Sequence, residues 1–190
     1  MASIITATTT SGLTQSADNS GVLQLASGTG NLVTIPSVTG TAMVSGNIPA
    51  FSAYAGSTQT LTSSVYTKIQ LNTETFDTNS CFDNSTNYRF TPTVAGYYQI
   101  NANIYIASGG VIGYILSAIY KNGSAYKYSL AYYNSTFGNG GCPVSDVIYF
   151  NGSTDYIEYY VRQTNNSAAA LLYTAGSAYV YMSGSMVRAA

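Results

Sequence analysis

The sequence predicts an all-β protein, an antiparallel sandwich or jelly roll, on the strength of three observations. Residues 97–106 alternate between apolar and polar side chains, which is the two-residue period of a half-buried strand. The dipeptide Asn122-Gly123 lies between two further strand-like runs and favours a two-residue type I′ hairpin. No segment shows a 3.6-residue amphipathic period of helical length. Many short strands between turns are typical of a sandwich or jelly roll.

Composition excludes several classes of function. The 190 residues suffice for one domain with a sizeable core plus an appendage. Only 7% of them are charged and the net charge is -1, so there is no arginine-rich patch that could neutralise nucleic-acid phosphates. There is no His, the commonest general base and metal ligand. The chain instead has 19 Tyr, whose ring and hydroxyl suit a subunit contact or a saccharide.

The composition changes near Ile48-Pro49 and divides the chain into an arm, residues 1–49, and a domain, residues 50–190. Ser, Thr and Gly make up 22 of the first 49 residues. Short strand-like runs at 21–25 and 31–35 carry too little apolar mass for a core of their own. We therefore predict an extended attachment or trimerisation arm that orders by pairing with other chains or with a larger partner. A low-complexity leader without fixed structure is the alternative.

The domain from residue 50 onward is predicted to consist of strands. The longer ones are predicted at residues 97–106, 114–121, 125–130, 144–150, 156–162 and 178–187. In the first of these, one face is apolar and predicts core: Tyr98, Ile100, Ala102, Ile104 and Ile106. The residues Asn151-Gly152-Ser153-Thr154 predict a tight connection between the fourth and fifth strands.

Four motifs of the domain occur in the order known from one protein family. Residues 50–53, AFSA, resemble its opening strand, and residues 82–100 resemble its signature YDxxTGxFTxPxxGxYxF. Residues 119–123, IYKNG, resemble its LxKNG hairpin. Residues 154–157 and 177–186 are similar to its GDxV strand and its closing SxFSGFLL strand. Residues 50–187 thus resemble the C1q globular domain of the C1q/TNF superfamily.

The resemblance implies a ten-stranded jelly roll that packs as a homotrimer. The chain departs from the family pattern at Asn87 and Thr154, where the family has Gly, and it lacks a collagen-like Gly-X-Y stalk. In place of the stalk stands the Ser/Thr/Gly arm, which resembles the N-terminal arms of bacteriophage tail-fibre and head-decoration proteins.

The family topology would bring a set of uncharged polar and aromatic residues onto one sheet face. Such a face suits a desolvated, hydrogen-bonded contact, because unpaired charges buried there would cost several kcal/mol each. We predict that it lines the threefold interface; an ordinary solvent face rich in tyrosine is the alternative. The predicted interface residues are Tyr97, Gln99, Asn101, Asn103, Tyr105, Tyr179 and Tyr181.

No catalytic or metal-binding group is predicted. Asp155 and Glu158 are three residues apart, which on a strand sends them to opposite faces, and no other pair suggests a glycosidase cleft. Calcium, which some members of the family bind, would have only Asp77, Asp83 or Asp146 as ligands and is not predicted. We predict no cofactor and no enzymatic activity. Whether Cys81 and Cys142 pair is left open by their spacing.

A second tyrosine-rich segment lies next to the glycine-rich loop 138–141. Sugars bind by stacking on aromatic rings and by hydrogen bonds from neutral groups, so this segment is a candidate receptor contact for a cell-surface saccharide. The alternative is that half of these side chains belong to the core. The candidate residues are Tyr126, Tyr128, Tyr132, Tyr133, Asn134 and Phe137.

The two resemblances together imply a structural virion protein. The arm would attach to a capsid or tail protein, and the trimeric domain would project as a knob that contacts the host. The start of the chain lacks the basic and apolar regions of a signal peptide, and no run could cross a membrane, so we expect synthesis in a host cytoplasm and release as part of a particle. The alternatives are a soluble C1q/TNF-like ligand or lectin of a cell, and a capsid-reinforcing protein without adhesive function.

Overall fold

The computed structural model describes residues 23–27, 31–35, 48–107, 110–133, 139–165, 169–172 and 179–190. The chain divides into two units, residues 1–40 and residues 41–190. In the first unit, β1 (Leu23–Ser27) and β2 (Asn31–Ile35) form an antiparallel hairpin in which Leu23 lies opposite Ile35. The two strand-like runs of the arm therefore pair with each other. That the arm also orders on a larger partner stays a prediction.

The second unit is built from strands alone in the described part of the chain. They are β3 (Ala50–Tyr54), β4 (Thr60–Thr62), β5 (Thr67–Lys68), β6 (Thr73–Asp77), β7 (Phe82–Asp83), β8 (Arg89–Phe90), β9 (Gly96–Ala107), β10 (Ile112–Lys121), β11 (Ser124–Tyr132), β12 (Asn139–Phe150), β13 (Ile157–Asn165), β14 (Ala169–Leu172) and β15 (Tyr181–Ala189). None of the described segments is a helix of the length and apolarity that crossing a membrane requires.

The strands form two antiparallel sheets. The first has the order β11-β10-β13-β8-β7, and β5 also pairs with β13. The second has the order β4-β14-β9-β15-β3-β6, and β12 also pairs with β9 along its whole length. The described strands outnumber the ten that the family resemblance implies, because several short segments between residues 60 and 90 also join the sheets.

An aromatic cluster between the sheets joins residues from several of the motifs described above. Phe51 of the opening strand stacks on Phe90 with 4.2 Å between ring centroids, and on Phe82 at 5.0 Å. Phe90 also contacts Tyr98 and Phe150 edge-on at 5.7 Å and 5.9 Å. All five rings are buried, which removes a large apolar area from water. The motif residues therefore converge on one core although they lie far apart along the chain.

The strand from residue 96 to 107 confirms the predicted alternation. Tyr98, Ile100 and every second residue after them are buried, while the residues between them are half-buried or exposed. The hairpin at Asn122-Gly123 is also confirmed, since both residues have positive φ, 52° and 77°. The Asn122 side chain donates to Asp155 Oδ1 at 2.8 Å, which ties the hairpin to the segment before β13.

The connection between β12 and β13 is a tight turn, as predicted. Asn151 Oδ1 accepts hydrogen bonds from the backbone N–H groups of Ser153, Thr154 and Asp155 at 2.9 to 3.0 Å. The left-handed residue is Gly152, with φ of 72°. Thr154, where the family has Gly, is therefore not a position at which positive φ is needed.

Both cysteines are buried and unpaired. Cys142 lies on β12, and its carbonyl oxygen accepts a hydrogen bond from Ser117 Oγ at 2.5 Å. The Ser117 hydroxyl is also 2.8 Å from the hydroxyl of Tyr159, and burial raises the pKa of this tyrosine far above its usual range. The hydroxyls of Ser117 and Tyr159 are thus hydrogen-bonded within the core. The spacing left open whether Cys81 and Cys142 pair, and the structure shows that they do not form a disulfide with each other.

Candidate functional site

The β9 face is the outward surface of the sheet around β9, between β12 on one side and β15 on the other. It contains the five β9 residues predicted for a subunit interface, none of which is buried. Asn101 lies opposite Ser145 and Ser183, and its side-chain oxygen accepts a hydrogen bond from Gln99 Nε2 at 3.3 Å. Asn103 lies opposite Tyr181 and donates to the carbonyl oxygen of Tyr179 at 2.8 Å. The predicted interface residues thus share one surface.

Aromatic pairs stand at both ends of the β9 face. Tyr97 contacts Tyr149 with 5.4 Å between ring centroids, and Tyr105 contacts Tyr179 at 5.3 Å. Val147 lies between these pairs and is 47% exposed. Neither Tyr149 nor Val147 was predicted from the sequence, although both lie on the outward side of a strand that was.

The middle of the β9 face carries no charge. From Gln99 to Tyr105, the residues that lie opposite the outward-facing side chains of β9 are Ser, Val, Pro, Gly and Tyr. The first charged residue is Arg188, opposite Tyr97 at the end of the strand. Asp146 of β12 lies opposite the buried residue Ile100 and so does not belong to the outward set of its strand. Its carboxylate forms an ion pair with Lys127 of β11 at 2.9 Å. The face can therefore be covered without burying an unpaired charge.

The β11 face is the outward surface of the other sheet, formed by β11, β10 and β13. Tyr126 and Tyr128 are each 49% exposed and Tyr132 is 79% exposed. Tyr128 and Tyr132 alternate toward the same side of β11, whereas the pairing with β10 is irregular at Tyr126, since Lys127 lies opposite Ile119 and Ala125 lies opposite Tyr120. Two of the predicted receptor residues therefore share this face, and Tyr126 is exposed on the same strand. Asn134 and Phe137 lie outside the described residues.

Tyr133 has a structural role instead of a place on the β11 face. Its ring packs against the core, and its hydroxyl donates to the carbonyl oxygen of Gly141 and accepts from Gly141 N at 2.8 Å. A Cβ atom at Gly140 would lie 2.6 Å from the same ring. The ring thus anchors the start of β12. For Tyr133 the alternative stated above, a side chain that belongs to the core, is therefore the correct one.

Cross-strand register extends the β11 face beyond the predicted residues. Tyr132 lies opposite Tyr114 on β10, and Tyr128 lies opposite Ala118, which in turn lies opposite Tyr160 on β13. Tyr160 stacks on Tyr120 at 4.1 Å. Sequence analysis missed this part of the surface because β10 and β13 are about 40 residues apart and their register is not encoded locally.

The hydroxyls of Tyr120, Tyr128 and Tyr160 remain neutral donors at physiological pH. Partial burial is the main cause that raises the pKa of Tyr120, Tyr128 and Tyr160, and neighbouring tyrosines or Glu158 raise it further. A protonated hydroxyl can both donate and accept a hydrogen bond, which suits a ligand rich in hydroxyl groups.

Three charged side chains accompany these rings. Lys68 forms an ion pair with Glu158 at 2.5 Å and lies 6.0 Å from the Tyr160 ring. Arg162 lies 5.6 Å from the Tyr66 ring and 5.8 Å from the Tyr114 ring. Lys68 and Glu158 neutralise each other, whereas Arg162 has no carboxylate within 4.0 Å among the described residues.

The carboxylates considered as calcium ligands are used locally. Asp77 accepts from the backbone of Phe82 at 2.7 Å. Asp83 accepts from the backbone of Ser85, Thr86 and Asn87, and these hydrogen bonds hold its pKa far below its usual range. Within the part of the chain that the structure describes, no three His, Cys, Asp or Glu side chains are placed to hold a metal ion.

The two antiparallel sheets with their shared aromatic core define a jelly-roll sandwich of the TNF-like type. No family model matches the sequence, and a search of curated proteins gives no match. Among solved structures, the crystal structure of murine APRIL at pH 5.0 is similar, with a TM-score of 0.57 at 8% identity over 74% of this chain and 99% of that chain. Eiger TNF from S. frugiperda is similar with a TM-score of 0.53 at 8% identity, over 75% of this chain and 93% of that chain. The predicted fold class is therefore confirmed, and at this identity the likeness concerns the fold alone.

Proposed function

We propose that the protein is a homotrimeric, non-catalytic binding head. The β9 face joins three copies, and the β11 face binds a saccharide on a cell surface. One observation carries this proposal: both sheets of the sandwich have aromatic, hydrogen-bonding outward faces, and the described residues in the middle of the β9 face are uncharged. A monomer in water has no need of two such surfaces, whereas a trimer covers one and leaves the other available for a ligand.

The composition of the β9 face suits a permanent contact between subunits. Tyr97, Tyr149 and Val147 supply exposed apolar area, and their burial is the main favourable term in association. Asn101 and Gln99 supply neutral donors and acceptors, which are cheaper to desolvate than charges. The C1q/TNF resemblance, with the similarity of the fold to murine APRIL and Eiger TNF, supports a trimer as the assembly.

The β11 face suits a ligand with hydroxyl groups and apolar ring faces. Tyr132 and Tyr128 are exposed rings on an edge strand, where a pyranose can stack on them. A trimer presents three copies, so that weak single contacts combine by avidity when the ligand is repeated on a surface.

The proposed setting is a virus particle, specifically a phage tail fibre or head decoration. The Ser/Thr/Gly-rich arm, which contains the β1–β2 hairpin, attaches the head to a capsid or tail protein. The protein is made in the host cytoplasm and becomes extracellular as part of the particle. A reinforcing role in a shell without host contact would use the same β9 face and leave the β11 face without a ligand.

The second candidate is a soluble TNF-like ligand of a cell. The specific observation in its favour is the fold, since the fold of this chain is similar to those of murine APRIL and Eiger TNF. Labelling with an antibody against this protein distinguishes the two settings. Labelled virus particles support the virion protein, and a soluble protein that is absent from particles supports the cellular ligand.

The test of the binding head separates its two faces. Tyr132→Ala on the β11 face is expected to reduce binding to the host surface roughly five- to thirtyfold and to leave the trimer intact, because a stacked ring contributes roughly 1 to 2 kcal/mol. Tyr149→Ala on the β9 face is the matched variant and is expected to weaken the trimer. Unchanged binding of Tyr132→Ala would show that the saccharide site lies elsewhere.

A further inference from the structure

We propose that the β11 face binds a saccharide that carries a carboxylate, and that Arg162 is the residue that binds this carboxylate. The inference rests on the proposed function, since it specifies the ligand of the same face. It adds a charged residue to the receptor residues predicted from the sequence, none of which is charged.

Arg162 lies near the middle of the β11 face. On β13 it is opposite Leu116 of β10, which is opposite Leu130 of β11. The guanidinium lies 5.6 Å and 5.8 Å from the rings of Tyr66 and Tyr114. Two aromatic neighbours at these distances stabilise the cation and restrict the positions that the side chain can adopt.

A hydrogen bond fixes the orientation of the guanidinium further. Arg162 Nε donates to the carbonyl oxygen of Ser64 at 3.0 Å, in the turn before β5. One of the five donors of the fork is thereby used for positioning. An arginine held by its Nε and by two rings is pre-organised to bind a planar carboxylate through its terminal nitrogens.

The charge balance of this region favours an anion. Lys68, the nearest other cation on this sheet in the described chain, is already neutralised by Glu158 at 2.5 Å. Arg162 has no such partner among the described residues. In a chain with only 7% charged residues, a cation that is fixed beside exposed tyrosines and lacks an acidic neighbour is complementary to a single negative charge.

The surroundings of Arg162 favour an acidic sugar over a polyphosphate. Nucleic acids and polyphosphates require several cations, and among the described residues of β11, β10 and β13 Arg162 is the one cation without an ion pair. Tyr132 and Tyr128 offer ring surfaces on the same face, which fit the sugar ring of a uronic acid while Arg162 binds its carboxylate. The geometry therefore specifies one charge and at least one sugar ring.

The test compares two ligands that differ only in charge. Isothermal titration of the intact protein measures binding of a galacturonate oligosaccharide and of its methyl ester. We expect the acid to bind at least about tenfold more tightly than the ester. Arg162→Gln is expected to remove this preference, and Arg162→Lys is expected to retain only part of it, because lysine keeps the charge and loses the fork.

Arg89→Gln is the matched control variant. Arg89 also stacks on a tyrosine, at 4.4 Å from the Tyr156 ring, and lies on the same sheet opposite Glu158, which is four residues before Arg162 on β13. We expect it to keep the preference for the acid. Thermal unfolding of each variant establishes that the domain remains folded.

Three results would overturn the inference. They are equal affinity for acid and ester, equal loss of the preference in Arg162→Gln and Arg89→Gln, and absence of measurable binding of the acid at millimolar concentration. None of them bears on the host-surface experiment with Tyr132→Ala, so a failure of the inference and a failure of the proposed function are distinguishable.

Discussion

Asn101→Asp tests the β9 face most sharply, because it adds a charge without changing the shape of the side chain. Asn101 lies in the middle of the face, opposite Ser145 and Ser183, and the amide of Gln99 is the only side-chain partner that we find for it in the described structure. In a single subunit the new carboxylate remains exposed to water, so the domain itself should keep its stability. In the trimer it would be covered by neutral groups.

The magnitude follows from the number of copies. Desolvating a carboxylate without a cationic partner costs several kcal/mol, and a low value of about 2 kcal/mol per subunit gives about 6 kcal/mol for three subunits. Every 1.4 kcal/mol is a factor of ten, so the trimer dissociation constant rises by roughly four orders of magnitude. Sedimentation equilibrium between about 1 and 50 µM measures this change.

Gln70→Glu is the matched control, because it adds the same charge to an exposed position outside the β9 face. We expect it to sediment as the unmodified protein does. A stable Asn101→Asp trimer, or dissociation of both variants alike, would refute the assignment of the β9 face as the interface.

Further predictions concern the fold. Gly152→Ala is expected to lower the midpoint of thermal unfolding strongly, because its Cβ would lie 2.3 Å from a backbone nitrogen. Gly123→Ala has a similar positive φ but its Cβ would make only an ordinary contact, 3.5 Å from the Tyr156 hydroxyl, and should cost only about 1 kcal/mol. Tyr133→Phe should destabilise the domain by about 1 kcal/mol in urea, since the partly buried backbone of Gly141 loses its partner, whereas Tyr132→Phe should be neutral. The pKa of Asp83 is lowered, so its ionised carboxylate stabilises the fold above the ordinary pKa of about 4, and this contribution is lost as the pH falls below that value. Asp83→Asn should therefore make the free energy of unfolding depend less on pH in the acid range. An unchanged pH dependence would contradict this.

The parts of the fold that were predictable are those with strong local patterns. The alternation from Tyr98 onward predicts β9, and Asn122-Gly123 predicts the β10–β11 hairpin, because a two-residue period and a type I′ turn are properties of adjacent residues. The short strands β5, β7 and β8 have two residues each, too few for any period. β5 and β8 form because the long strand β13 provides hydrogen-bonding partners, and β7 pairs with β8 in turn.

The β9 face was predictable because most of its residues lie on one strand. The β11 face was only half predictable. Tyr128 and Tyr132 alternate on a single strand, but Tyr66 and Arg162 reach the face from segments nearly 100 residues apart. Cross-strand register, which depends on the whole sheet, brings them together. Tyr133 was predicted for the receptor contact but packs against the core. A sequence rich in tyrosine does not reveal which rings pack inward.

The number of subunits is the central claim, and native mass spectrometry of the intact protein tests it most directly. One chain has a mass of 20.0 kDa, and the account predicts a dominant species of about three times that mass at low micromolar concentration. A spectrum in which the single chain dominates at that concentration would contradict it.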